Sequence, residues 1–206
     1  MWSVANFAKE NDMCFLNKLV AGAGCLFFMA QTIHAAEVSL SVTDAGGAPV
    51  ADAVIAFYDK KAPVTSPASG KIVQKNKMFN PKVTVIQTGT KVNFPNEDTV
   101  RHHVYSFSPA KKFELKLYSG VPTEPVLFDQ AGLVTLGCNI HDSMVGYIYV
   151  VDTPFFVKTD DKGKAMIKLS DGPYSYQAWL PGQNKPGIEQ KVIIEGAATE
   201  LKIALP

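Results

Sequence analysis

The sequence is poor in thiols and in histidine. Three cysteines and four histidines occur in 206 residues. Neither sign of charge is in excess, with 20 Lys and Arg against 19 Asp and Glu. Nothing in these totals points to nucleic acid or a membrane surface as a partner. Sustained helical spacing of apolar residues is missing from residue 37 onward. No pair of carboxylates suggests acid–base catalysis, and Asp98 and Asp142 read as turn residues and solvated charges. The apolar run from Leu19 to Ala30 has 12 residues, too few for a bilayer, which takes about 20.

That run follows Lys18 and leads into Gln31 to Ala36, where the residues become small. A positive flank, a short apolar core and a small-residue exit describe a secretory signal peptide. Residues 1–36 are therefore expected to be cleaved after Ala35 or Ala36. The rest is expected in the periplasm, without a membrane anchor. Cys14, Cys25 and His34 leave with the leader. What remains is one thiol, Cys138, with no disulfide partner, and three histidines, His102, His103 and His141. A lone exported cysteine is either buried and inert or guarded by a metal in an oxidising compartment.

The body of the chain reads as short strands. Val38 to Val42 alternates, Ala53 to Phe57 is a second strand, and 60–71 reads as a Pro/Ser/Gly linker or loop. Further strands are expected at Val83 to Ile86, Lys91 to Phe94, Val104 to Phe107 and Lys111 to Tyr118. Later ones fall at Phe155 to Lys158, Ala165 to Leu169, Tyr174 to Trp179 and Val192 to Ile194. Turn signals separate them every eight to twelve residues or so, the pattern of all-β sandwiches. The aromatics Phe155, Phe156, Tyr174, Tyr176 and Trp179 read as core and not as a sugar-binding face. Lys111, Lys112 and Lys116 read as protection of an edge strand.

Chemistry concentrates in one loop. Cys138, His141 and Met144 stand three residues apart between the apolar run Leu133 to Leu136 and an alternating stretch, Val145 to Val151. A thiolate, an imidazole and a distant thioether are three of the four ligands of a blue-copper electron-transfer site, whose fourth is a second His. His102 or His103 supplies it. A Cys1His3 zinc site using both histidines is a weaker alternative. A cysteine hydrolase is also a weaker alternative, because a nucleophile needs no Met144 and its base is brought to it by the fold.

The stretch from Phe94 through Asn96 to His102, together with the Cys138, His141 and Met144 loop, resembles the cupredoxins, and amicyanin most of all. The whole chain is similar to the cupredoxin-containing methylamine-utilisation L-type proteins. Val42 to Val54, Lys158 to Gly163 and Ser170 to Tyr174 resemble a carboxypeptidase-regulatory, carbohydrate-binding-like sandwich. The resemblance implies a Greek-key cupredoxin β-sandwich at 74–151 and a second β-sandwich at 152–206. Residues 37–73 then either share the second sandwich or form the first cupredoxin strands. It implies one type 1 copper on His102, Cys138, His141 and Met144, with His103 as the alternative to His102. The implied protein is a monomeric single-electron carrier, not an enzyme, serving a c-type cytochrome or a dehydrogenase. Rival readings are copper storage or delivery, and a carbohydrate-binding or adhesion module with a vestigial copper site. Two positions depart from the pattern. His103 replaces an Asn that ties the ligand segments together, and Ile140 replaces a Pro, leaving an amide free to point at the Cys138 sulfur.

Overall fold

The computed structural model describes residues 35–59, 68–196 and 198–205. Apart from Ala35 and Ala36, the expected leader lies outside the described residues. Every helix or strand element described is a strand, so the chain is all-β. It begins with β1 (Ala35–Thr43), β2 (Val54–Tyr58), β3 (Ser69–Lys71), β4 (Val73–Lys75) and β5 (Met78–Asn80). Next come β6 (Val83–Gln87), β7 (Thr90–Asn93), β8 (His102–Ser108), β9 (Lys111–Tyr118), β10 (Val126–Phe128), β11 (Gly132–Leu136) and β12 (Gly146–Val151). The last five are β13 (Phe155–Lys158), β14 (Lys164–Ser170), β15 (Gly172–Trp179), β16 (Gln190–Ile194) and β17 (Ala198–Ala204).

The first two strands pair with the last five. One sheet has the order β14-β1-β17 and another the order β13-β2-β15-β16. β1 alternates strictly, so Val38, Leu40 and Val42 point inward toward Ile55, Phe57, Leu169, Tyr174 and Ile194. Strands β3 to β12 pair among themselves, in the orders β10-β7-β3 and β11-β12-β6, with β4-β5 and β8-β9 as two-stranded pairs. Their inward side chains, among them Phe79, Phe94, Val104, Phe128, Leu136 and Ile148, form a second core that includes Cys138 and Met144.

A third cluster joins the two sets. Val54 and Ala56 of β2 meet Val83 of β6, Tyr149 and Val151 of β12, and Trp179 of β15. This explains why β2 is an unbroken apolar run. Ile55 and Phe57 serve the outer core, while Val54 and Ala56 face the inner strands. A short continuous apolar segment is what a strand covered on both faces requires. β12 is built the same way, with Ile148 and Val150 on one side and Tyr149 and Val151 on the other. The strand that follows the Cys138–Met144 loop is thus held from both faces.

The structure corrects the expected linker. Ser69–Lys71, inside the stretch read as loop, pairs in parallel with Lys91 to Asn93, and Ile72 is core. β4 follows directly at Val73–Lys75. These strands are three residues long and are held by backbone pairing, so their composition carried little signal. β5, β10 and β17 also fall outside the strands expected from sequence.

Trp179 is the keystone between the two sets: it is 1% exposed, contacts the rings of Tyr147 and Tyr149, and donates its indole N–H to Gln183 O at 3.0 Å. Replacing it with Ala removes a large buried ring from a packed junction. Trp179→Ala is expected to lower unfolding free energy by about 3–5 kcal/mol, read as a lower urea midpoint.

Candidate metal centre

The structure brings His102, Cys138 and His141 together: one candidate ligand atom from each lies within 4.8 Å of the others. Cys138 Sγ is 3.8 Å from His102 Nδ1, and the His102 and His141 rings have centroids 5.0 Å apart. His102 and Cys138 are buried, and His141 is partly buried. Met144 is buried in the same core cluster as Cys138.

Local geometry explains the loop. Gly137 pairs with Tyr105 of β8, its N–H donating to Tyr105 O at 3.0 Å and its carbonyl accepting from Tyr105 N at 3.1 Å. Cys138 is therefore fastened to the strand that carries His102. A turn follows, closed by Met144 N donating to His141 O at 2.9 Å, and the chain then enters β12. The Cys–His–Met spacing is the length of one bridge, one turn and the entry to a buried strand.

On the other side, Asn96 shapes the approach to His102. Its side-chain amide donates to Val100 O and Tyr118 O, both at 2.9 Å, and its Oδ1 accepts from Asp98 N at 3.0 Å. The 96–102 loop is thereby closed on itself and pinned to β9. The β8–β9 pairing shifts register between His102 and Val104. A bulge of this kind re-aims side chains beside functional sites.

Asp98, read from sequence as a solvated turn residue, is part of the site. Its Oδ2 lies 2.7 Å from His102 Nε2, which leaves His102 Nδ1 turned toward the thiol. Burial pushes the Asp98 carboxyl up, but hydrogen bonds from Lys77 N, the His102 ring and Asn76 N outweigh it and hold it below its usual value. A carboxylate on the far nitrogen fixes a ligand imidazole's tautomer and raises its basicity. The sequence signal was the four-residue spacing from Asp98 to His102, which a turn of this kind closes.

His103 lies outside the three-donor group, and its Nε2 is 2.9 Å from Glu114 Oε1 of β9. The two segments are tied by the backbone of Tyr105 and Gly137. The amide of Ile140 makes no hydrogen bond to Cys138 Sγ among the described residues; the contact there is from His102. Ile140 itself is largely exposed.

The donor set fits a soft or borderline metal. His141 Nδ1 is buried without a hydrogen-bond partner, an arrangement that destabilises a fold unless something else satisfies the nitrogen. A thiolate with two imidazoles suits copper and zinc, while hard cations want oxygen.

No protein-family model matches the chain, and no curated protein matches it. Similar solved structures include a purple cupredoxin from Nitrosopumilus maritimus, at 22% identity and a TM-score of 0.36, covering 40% of this chain and 99% of that one. An oxidised amicyanin variant is 14% identical with a TM-score of 0.37, over 48% of this chain and 99% of that one. A copper-containing nitrite reductase from Thermus scotoductus is 21% identical with a TM-score of 0.39, over 53% of this chain and 28% of that one. At these TM-scores the likeness carries no argument about activity, and the reading rests on the donors themselves.

The bridge at Gly137 has a direct test. A Cβ there would lie 2.6 Å from the Tyr105 ring, closer than such atoms approach. Gly137→Ala is expected to part the loop from β8, lowering both thermal stability and metal affinity, measured by calorimetry with and without metal. The matched control Gly47→Ala, at a surface turn whose added Cβ meets nothing within 4 Å, should leave metal affinity unchanged.

Proposed function

We propose that this chain is an exported type 1 copper protein of the cupredoxin kind that carries single electrons and is not an enzyme. It binds one copper through His102, Cys138, His141 and Met144, and exchanges electrons with a protein partner such as a c-type cytochrome or a dehydrogenase in the periplasm. The observation that carries this reading is the convergence of a thiol and two imidazoles within 4.8 Å, one imidazole nitrogen buried and unpartnered, beside a buried Met of the same loop.

When bound, copper supplies a one-electron couple between Cu(II) and Cu(I). The residues supply the rest. Cys138 gives a soft anionic donor, the two imidazoles suit both oxidation states, and a weak thioether favours the reduced ion. Asp98 orients His102 and sustains its basicity. Burial of His102, Cys138 and Met144 keeps water from the donors. With the backbone fixed by the Gly137 bridge and the His141–Met144 turn, little rearrangement accompanies a change in charge.

The spectrum of copper-loaded protein tests the assignment. Wild type is expected to show intense visible absorption from the thiolate–copper pair, and Cys138→Ala to lose it. His102→Ala should lose or greatly weaken copper binding, whereas His103→Ala should keep the colour. Stoichiometric copper and full colour in Cys138→Ala would sink the reading.

Met144 is expected to tune the centre and not anchor it, since a thioether would be a weaker donor to copper than the thiolate and the imidazoles. Met144→Gln presents a harder oxygen that stabilises Cu(II), so the reduction potential falls. Met144→Leu removes the donor and leaves Cu(II) less well served, so it rises. Voltammetry should give the order Leu, wild type, Gln from high to low, with copper retained in all three.

A further inference from the structure

The β4–β5 hairpin, which contributes no ligand, touches both ligand-bearing segments. β4 and β5 pair Lys75 with Met78, leaving a two-residue loop in which Asn76 and Lys77 have φ of 55° and 57°. Positive φ at both central residues is the type I′ geometry favoured for tight hairpins. Such a turn aims its two amides the same way. Both reach Asp98: Asn76 N donates to Oδ1 at 2.7 Å and Lys77 N to Oδ2 at 2.9 Å. That carboxylate is the one on His102 Nε2.

The hairpin is also tied down around the turn. Gln74 N donates to Pro95 O at 2.8 Å and Glu97 N to Gln74 O at 2.9 Å, so β4 runs beside the loop that carries Asp98. The Gln74 side chain, fully buried, donates to Phe94 O at 2.9 Å. On β5, Phe79 lies under Gly146, where an added Cβ would come within 3.0 Å of it; Gly146 begins β12, two residues after Met144. Beside the turn is a cavity of about 290 Å³ lined by Asn76, Lys77, Asp98, Thr99 and Val100. Asp98 is part of that lining and its side chain is 14% exposed, so solvent can reach the carboxylate.

We propose that the Asn76–Lys77 turn is a positioning element for the metal centre, its paired amides holding the Asp98 carboxylate against solvent so that it orients His102. The proposal rests on the copper reading for its redox consequence but not for its geometry. Without the amides, Asp98 rotates toward the cavity, the His102 ring loses its acceptor and becomes a poorer donor, and Cu(II) loses more than Cu(I) does.

The test uses two double variants and the wild type. Asn76→Val with Lys77→Val places β-branched residues where φ is positive, which opposes the turn. Asn76→Gly with Lys77→Gly keeps both amides and tolerates that φ. In metal-free protein, NMR exchange of the His102 Nε2 hydrogen should speed by about tenfold in the valine variant and match wild type in the glycine variant. In copper-loaded protein the reduction potential should rise in the valine variant and return in the glycine variant. Unchanged ring exchange together with an unchanged or lowered potential in a folded valine variant overturns the proposal. Should that variant fail to fold, wild-type exchange decides: the amides of Asn76 and Lys77 and the His102 ring hydrogen must open together at equal protection, and turn amides exchanging as freely as an exposed loop overturn it. The metal-free arm stands even if no copper binds, so failure of the copper reading is told apart from failure of this one.

Discussion

Two backbone hydrogen bonds between Tyr105 and Gly137 hold the donor set together. They make the cysteine loop a continuation of the surface that bears His102, although thirty-odd residues of chain separate the two. The rest of the inner architecture can be read as support for that joint. β12 leaves the loop directly and is packed on both faces, so the loop cannot drift outward. Asn96 pins the approach to His102 against Tyr118 of β9. The outer part of the Tyr105 ring covers Gly137, so a side chain there would have to push that ring aside. The glycine beside the cysteine thus lets the two segments approach closely.

The donors are expensive to leave alone. A buried imidazole nitrogen without a partner destabilises a fold by roughly 1–3 kcal/mol, and the unpartnered atom here is His141 Nδ1. Its neighbours, in contrast, are well satisfied: His102 by Asp98, and Asp98 by two amides. The unpartnered nitrogen belongs to one of the three residues whose donor atoms lie within 4.8 Å of one another. An ion bound there stabilises the folded chain over the unfolded one, in which His102 is not brought to the Cys138–Met144 loop.

The all-β class and most strands were legible because alternation and turn residues are local signals. The donor loop was legible for the same reason, its three side chains lying within seven residues of sequence. What the sequence concealed depends on contacts distant along the chain. Nothing local in Ser69–Lys71 separates a three-residue strand from a loop, since its partner is Lys91 to Asn93. Sequence spacing likewise hides the different partners of the adjacent histidines, Asp98 for His102 and Glu114 for His103. Asp98 itself looked solvated because its two amide donors come from a hairpin some twenty residues earlier.

The outer sheets make assembly a matter of timing. β1 is flanked by β14 and, in parallel, by β17, the last strand described. Neither neighbour exists until residues 164–170 and 198–204 have been made, long after β1 itself, so β1 and β2 must wait with open edges while the strands between them find partners among themselves. Closing so long a loop is slow, and open edges are the places where chains join one another by mistake. A chain cut short before Ala198 would keep its inner strands and the donor group, yet carry β1 with one edge permanently unpaired. For this protein, loss of the C-terminal strand would show first as aggregation and only later as loss of the centre.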